Sequence, residues 1–343
     1  MYSPSSVITL GTAGGPMQNP QRAQPAHVLM NGDRPILIDC GEGAMGQLKR
    51  AGIEYRDVHH IFLTHHHFDH IGSLYACLGL NMMTQRREPL RIYGPAGTHA
   101  IVDGLCTACD VPNAIGFGVP GQQLPHPRDF VQVTEIAPGD EVTLDGLTMI
   151  CCENTHYRTE DQFGDDGYHS LSLRFDLDDR SVVFTGDTGP CDALVTLSQD
   201  ADLIVGEMMD LDITMGRIRA MNKGMPEERI EMIQRHLSNI TSMRRILPTL
   251  PRPLAQKRSW QFTFHRALQR LIPRRPMSTA LPRFSMGSSL SGRIWRSTET
   301  IGDALREPWV ANEGKCHNAR KRDNSVRLKI GIVAKQIPLV ELS

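Results

Sequence analysis

Short apolar, β-branched runs broken by Gly, Pro, Asn and Asp recur through the first two thirds of the chain. Their spacing predicts strands rather than long helices. The strands fall at Val7–Leu10, Ala26–Met30, Ile36–Asp39, Ile61–Thr64, Leu90–Tyr93, Phe130–Ile136, Glu141–Leu144, Leu147–Cys151, Ser170–Leu177, Ser181–Thr185 and Leu203–Val205. Apolar residues recurring at three and four predict helices over Gly43–Ala51, Gly72–Met83, Gly97–Cys109 and Cys191–Ser198. Several strands arrive before each helix. That order predicts an α/β fold of two mixed sheets packed face to face with helices outside, rather than a doubly wound parallel sheet. The Pro- and Gly-rich stretch Val111–Arg128 is expected to project as a loop at the rim of a substrate pocket.

Beyond Asn239 the texture changes. Strand alternation and helical stripes lapse, Arg and Pro rise, and acidic residues nearly vanish. The chain of 343 residues carries 37 Lys and Arg against 38 Asp and Glu, but its net charge of -1 is the sum of two unlike parts. Residues 1–239 hold 17 basic against 32 acidic side chains, and residues 240–343 hold 20 against 6. All six Tyr lie in the first part and all three Trp in the second. The division is therefore a globular domain over 1–239 and an anomalous basic tail over 240–343, expected to be poorly ordered.

A hydrophobic content of 40% with 22% charged residues is ordinary for a globular protein with a sizeable core. No apolar run approaches 18 residues, and Met1-Tyr2-Ser3-Pro4 lacks a basic then apolar leader, so the cytoplasm is the expected compartment. Cys106-x-x-Cys109 has no matching second pair and is read as part of a helix.

The strongest chemical signal is His65-His66-His67-Phe68-Asp69-His70, directly after a predicted strand. Residues at i and i+2 of an extended segment point the same way, so His65 and His67 can hold one metal ion while Asp69 and His70 face a neighbouring position. By the same alternation His66 points away; His59 and His60 precede a buried strand and are read as structural. His156 and Asp187 each follow a predicted strand and join the ligand set.

With these motifs in place the chain resembles the metallo-β-lactamase superfamily, the αββα-sandwich hydrolases. Leu10-Gly11-Thr12-Ala13-Gly14-Gly15-Pro16, Leu37-Ile38-Asp39-Cys40-Gly41-Glu42-Gly43 and Ile92-Tyr93-Gly94-Pro95 are similar to its ribonuclease Z and arylsulfatase-like branch. The resemblance implies a first metal on His65, His67 and His156, a second on Asp69, His70 and a late His, and Asp187 bridging. It implies Asp39 as the partner of a ligand histidine's other ring nitrogen. Two ions would make hydroxide available at neutral pH and act as Lewis acids on the attacked ester, with Asp69 positioning the water or taking its proton. Zinc is favoured, and manganese or iron fits the same nitrogen and oxygen donors. An iron oxygen reductase of the superfamily would show Glu where His67 stands, which ranks redox chemistry low.

Two departures temper the resemblance. Ribonuclease Z proteins carry a His-Glu-Ala-Thr box, whereas Ile204-Val205-Gly206-Glu207 keeps Glu207 and replaces the His with Gly206. The Val111–Arg128 loop holds one Arg and no Lys, too few to grip many phosphates. The expected partner is therefore a small-molecule ester, phosphodiester or sulfate ester, with nucleic acid not favoured, and tRNA 3′ processing stands second. His169 is taken as a substrate contact. The other departure is the late His: His236 is too early, and His265 has no convincing strand ahead of it. The tail is read as a frame shift near Asn239, because the neighbouring frame permits a helix, a Gly stop and a strand ending in His. In that frame Trp260-Gln261 encodes Ala, and Phe262-Thr263 encodes only His or Tyr. A catalytically impaired, metal-poor relative acting as a binding protein is the competing class.

Overall fold

In the computed structural model, the residues described are 4–15, 18–119, 121–163, 167–208, 210–240 and 259–264. All of them belong to one compact unit. Every strand expected from the sequence forms.

The first sheet contains β1 (Ser6–Gly11), β2 (Ala26–Asn31), β3 (Arg34–Ile38), β4 (His60–Phe62), β5 (Leu90–Gly94) and β6 (Val131–Glu135), in sequence order. Strands β1 to β3 pair antiparallel, and β3 to β6 pair parallel. The second contains β7 (Glu141–Leu144), β8 (Leu147–Glu153), β9 (Leu171–Asp176), β10 (Ser181–Phe184), β11 (Leu203–Met208) and β12 (Ser259–Phe264), again in order. There β7 to β10 are antiparallel, while β10, β11 and β12 are parallel.

The strand sequences explain the layering. Leu147, Met149, Cys151 and Glu153 of β8 are buried in strict alternation with half-buried neighbours, as one buried sheet face requires. Ile36, Leu37 and Ile38 of β3 are buried on both faces, which fits a strand covered by a helix on one side and a sheet on the other. Between the sheets Leu29, Ile38, Phe62, Phe175, Phe184 and Val205 share one core, with Phe62 and Phe175 meeting edge to face at 5.1 Å. Helices α1 (Ala44–Arg50), α3 (Leu74–Met83) and α4 (Thr98–Ala108) cover the first sheet through Leu48, Leu78 and Val102. Helix α7 (Asp192–Leu197) covers the second through Leu194. This is the expected αββα sandwich. Cys106 and Cys109 are buried free thiols in the helical layer, as expected of plain helix residues.

Several elements were not legible. The one-turn α2 (Phe68–Ile71) lies inside the histidine motif, and α5 (Asp110–Ile115) and α6 (Pro127–Phe130) interrupt the expected Val111–Arg128 loop. Helices α8 (Leu211–Met221) and α9 (Glu227–Ile240) follow β11. Strand β12 corrects the expectation that no strand stands ahead of His265: it pairs with β11 through the register Phe262↔Gly206 and Thr263↔Glu207. Sequence alternation missed it because an edge strand paired on one side needs little apolar patterning. The remainder of the 240–343 segment, including His265, lies outside the described residues. Among the described residues no helix is long and apolar enough to cross a membrane.

Candidate metal centre

The site forms where the C-terminal ends of β3, β4, β8, β10 and β11 converge. After β4 the backbone stays extended through His67 (φ -62°, ψ 145°) and then turns into α2. The extended part sets His65 and His67 on one side, and the helical turn swings His70 back toward them. His65 Nε2 is buried and has no hydrogen-bond partner among the described residues, a costly state for a ring nitrogen unless an ion takes its lone pair.

Two donor groups meet at this atom. One comprises His65, His67 and His156; the other comprises His65, His70 and Asp187; within each, the ligand atoms lie within 4.8 Å of one another. His156 Nε2 is 2.8 Å from His67 Nδ1, and His70 Nε2 is 3.3 Å from Asp187 Oδ1. Nitrogen and carboxylate donors brought this close, with a partnerless buried lone pair, fit a divalent ion. Five residues expected to bind metal are thus brought together.

Asp69, the sixth, stands slightly apart: its Oδ2 lies 3.9 Å from His70 Nε2 and accepts the Gly15 N–H at 2.6 Å. Gly15 cannot be larger, because a Cβ there would stand 2.3 Å from Asp69 Oδ2. The glycine-rich opening of the chain therefore serves the motif 50 residues away.

Asp39 organises the far side of His70. Its backbone is in the left-handed region at φ 57°, a strained conformation for a non-glycine residue. There Oδ2 accepts from His70 Nδ1 at 2.7 Å, Oδ1 accepts the Thr64 N–H at 2.8 Å, and Thr64 Oγ1 lies 3.0 Å from His65 Nδ1. One carboxylate thus fixes His70 directly and His65 through Thr64.

Charge in the cluster is shared. Burial disfavours a charge on His70, but Asp187 and Asp39 outweigh it and hold its pKa well above the ordinary histidine value. Burial likewise opposes the Asp187 charge, yet His70, then His156 and His65, hold its pKa well below the usual carboxylate range. Burial, reinforced by His70 and His156, drives His65 well below its ordinary value and leaves its lone pair available.

Sequence reasoning missed three contributors. Tyr157 packs its ring 5.8 Å from His65, 5.2 Å from His67 and 5.6 Å from His156, while its hydroxyl accepts the His66 N–H at 2.9 Å; its only signal was adjacency to His156. Thr64 carried none beyond its place before the motif. His27, hidden in the apolar strand β2, lines a cleft of about 380 Å³ with Asp39, His70, Asp187, Gly206 and Glu207. Burial, partly offset by Asp39 and reinforced by His70, lowers its pKa to about 4.

The remaining expectations are sorted by contact. His66 turns away from the cluster and pairs its Nε2 with Thr98 Oγ1 at 2.8 Å. His59 meets Arg86 at 2.9 Å, and His60 lies 3.4 Å from Asp145. His169, read as a substrate contact, lies 3.0 Å from Glu153 Oε1. Glu153 is buried at the end of β8, where a carboxyl without a partner is costly. Glu207 lines the cleft beside Gly206, with Asp39, His70 and Asp187.

Residues 34–238 match the family model for the beta-lactamase superfamily domain. The chain is 30% identical over 214 residues to ribonuclease Z of Mycobacterium bovis (strain BCG / Pasteur 1173P2), covering 60% of this chain and 71% of that protein. It is 31% identical over 212 residues to ribonuclease Z of Mycobacterium sp. (strain KMS), covering 60% and 70%. Human tRNase Z, short form, shares the fold at a TM-score of 0.52 and 19% identity, over 75% of this chain and 92% of that one. Relatives named for RNA cleavage overturn the expectation of a small-molecule ester partner with nucleic acid disfavoured. That expectation weighed Gly206 and the few cations of Val111–Arg128. Both lie outside the donor groups, and ions that polarise a phosphodiester act alike on small and polymeric substrates. The chain belongs to the metallo-β-lactamase superfamily of hydrolases, among the relatives of ribonuclease Z.

Proposed function

We propose that the protein is a metal-dependent endoribonuclease of the ribonuclease Z type, cleaving a phosphodiester at the 3′ side of a tRNA precursor. The observation that carries the reading is the pair of donor groups meeting at His65, in a chain whose relatives are named ribonuclease Z. His65, His67 and His156 would hold one divalent ion, and His70 and Asp187 a second, with zinc the favoured metal for a histidine-rich, thiolate-free set. Bound there, two such ions would supply a hydroxide at neutral pH and Lewis acidity toward a phosphoryl oxygen.

The chain's own residues do the rest. Asp39 holds His70 by its Nδ1 proton, which aims Nε2 at the cluster. Asp69, steadied through one oxygen by the Gly15 N–H, positions the water or takes its proton with the other. Tyr157 packs its ring against His65 and His67 and holds their rings in place. With Gly206 where ribonuclease Z proteins carry a histidine, the leaving oxygen has to draw its proton from another group facing the cleft, which Glu207 and His27 also line.

The test is a panel of a 3′-extended tRNA precursor, a bis-aryl phosphodiester, an aryl sulfate and a lactone, each given to the zinc-loaded chain. Cleavage of the precursor at one site near the end of the acceptor stem is the expected result. Turnover of the sulfate or lactone alone, with the precursor intact, would refute the reading.

A further inference from the structure

Tyr168 is 67% exposed, although aromatic side chains ordinarily bury most of their area. Its segment is nonetheless pinned. Arg158 donates from Nη2 to the Tyr168 carbonyl at 2.6 Å, and Arg158 Nε lies 3.2 Å from Glu153 Oε1. The next residue, His169, places Nδ1 3.0 Å from the same oxygen. Glu153 is only 4% exposed, so the Tyr168 carbonyl, through Arg158, and the following His169 are both drawn to one buried carboxylate.

The ring itself lies over Gly97. A Cβ on Gly97 would stand 2.8 Å from Tyr168 Cε1 and 3.6 Å from His66 Cε1, so the missing side chain makes the seat for the ring. His66 turns its ring away from the donor groups toward Thr98, and its N–H is held by Tyr157, whose ring lies 5.2 Å from that of His67, so the phenol face lies on the surface flanking the histidine motif rather than among the donors.

We propose that Tyr168 is a stacking platform for an unpaired nucleobase of the RNA substrate on the surface flanking the histidine motif. Glu153, Arg158 and His169 are its positioning residues. The inference rests on the RNA-cleaving function proposed above. Stacking suits this surface because the cation beside the ring, Arg158, is already engaged by the Tyr168 carbonyl and Glu153. An aromatic face grips a base without charge and without sequence preference. A rigid mooring limits the ordering cost of binding.

The test uses the full zinc-loaded chain and a stem-loop RNA with a single-stranded 3′ extension carrying 2-aminopurine at successive positions. Wild type and Tyr168→Phe are expected to quench one position and to cleave with similar KM. Tyr168→Leu and Tyr168→Ala are expected to lose that quench and raise KM by roughly 5- to 100-fold, the loss of one base stack. Glu153→Gln is expected to weaken the quench with the ring intact. Equal quenching by wild type and Tyr168→Leu, or RNA bound with no position quenched, overturns the platform. A quench without cleavage overturns the ribonuclease reading and leaves the platform standing. No RNA binding at all overturns both.

Discussion

His70 Nδ1 and Asp39 Oδ2 lie 2.7 Å apart, although 31 residues separate them and they leave different strands. The contact decides which ring nitrogen of His70 faces Asp187. Asp39→Asn keeps the shape and tolerates the left-handed backbone, but its Nδ2 cannot accept from His70. Metal affinity is expected to fall roughly 10- to 100-fold, the usual consequence of losing such a partner, with the thermal midpoint of the metal-free protein little changed. Chelator competition measures it, and an unchanged dissociation constant would refute the role.

Loss of a donor should be more severe. His67→Ala and Asp187→Asn are each expected to abolish hydrolysis of a bis-aryl phosphodiester and to lower zinc content by one equivalent or more. Elemental analysis beside turnover checks both. Two zinc equivalents in the wild type support the enzyme, one or none supports an impaired relative, and unchanged turnover in either variant refutes the assignment.

Gly15→Ala tests Asp69 without touching it. The added methyl would press on the Asp69 carboxylate and displace it from the cluster. Turnover is expected to drop by roughly 10- to 100-fold, within the range for a disturbed proton acceptor. The zinc held by His65, His67 and His156 should remain, so retained metal with full activity would remove Asp69 from the mechanism.

His27 should leave a mark on stability. Its pKa in the folded protein is about 4, below the value near 6.5 of an unfolded histidine. The unfolded chain therefore binds the extra proton first, and stability falls as pH drops from 6.5 toward 4. The full effect is on the order of 3 kcal/mol for this one group. His27→Gln is expected to flatten that part of the pH profile in urea titrations of the metal-free protein, and parallel profiles would refute the assignment.

The register of β12 gives the frame reading a structural consequence. Thr263 pairs with Glu207 at the cleft side of the second sheet, and the codons for Phe262-Thr263 are those that encode His or Tyr in the neighbouring frame. We expect sequencing of the locus to show a shifted frame near codon 239, and Thr263→His to tighten zinc binding in chelator competition. An intact frame with no such alternative, together with unaltered zinc binding in the variant, would end the idea.

The sequence alone determined strands β1 to β11, the αββα layering and the five candidate donors His65, His67, His70, His156 and Asp187. Each of these is written locally: a period of two along a strand, or a ligand placed where a strand ends. Tertiary structure decided what depends on convergence. Only the meeting of strand ends turned Asp39 into the anchor of His70, seated Asp69 on Gly15, brought His27 of an apolar strand into the cleft, and set His169 against Glu153. Such contacts have no sequence period, because they are fixed by the packing of two sheets against each other. A buried charge or lone pair acquires its partner only after that packing has excluded water.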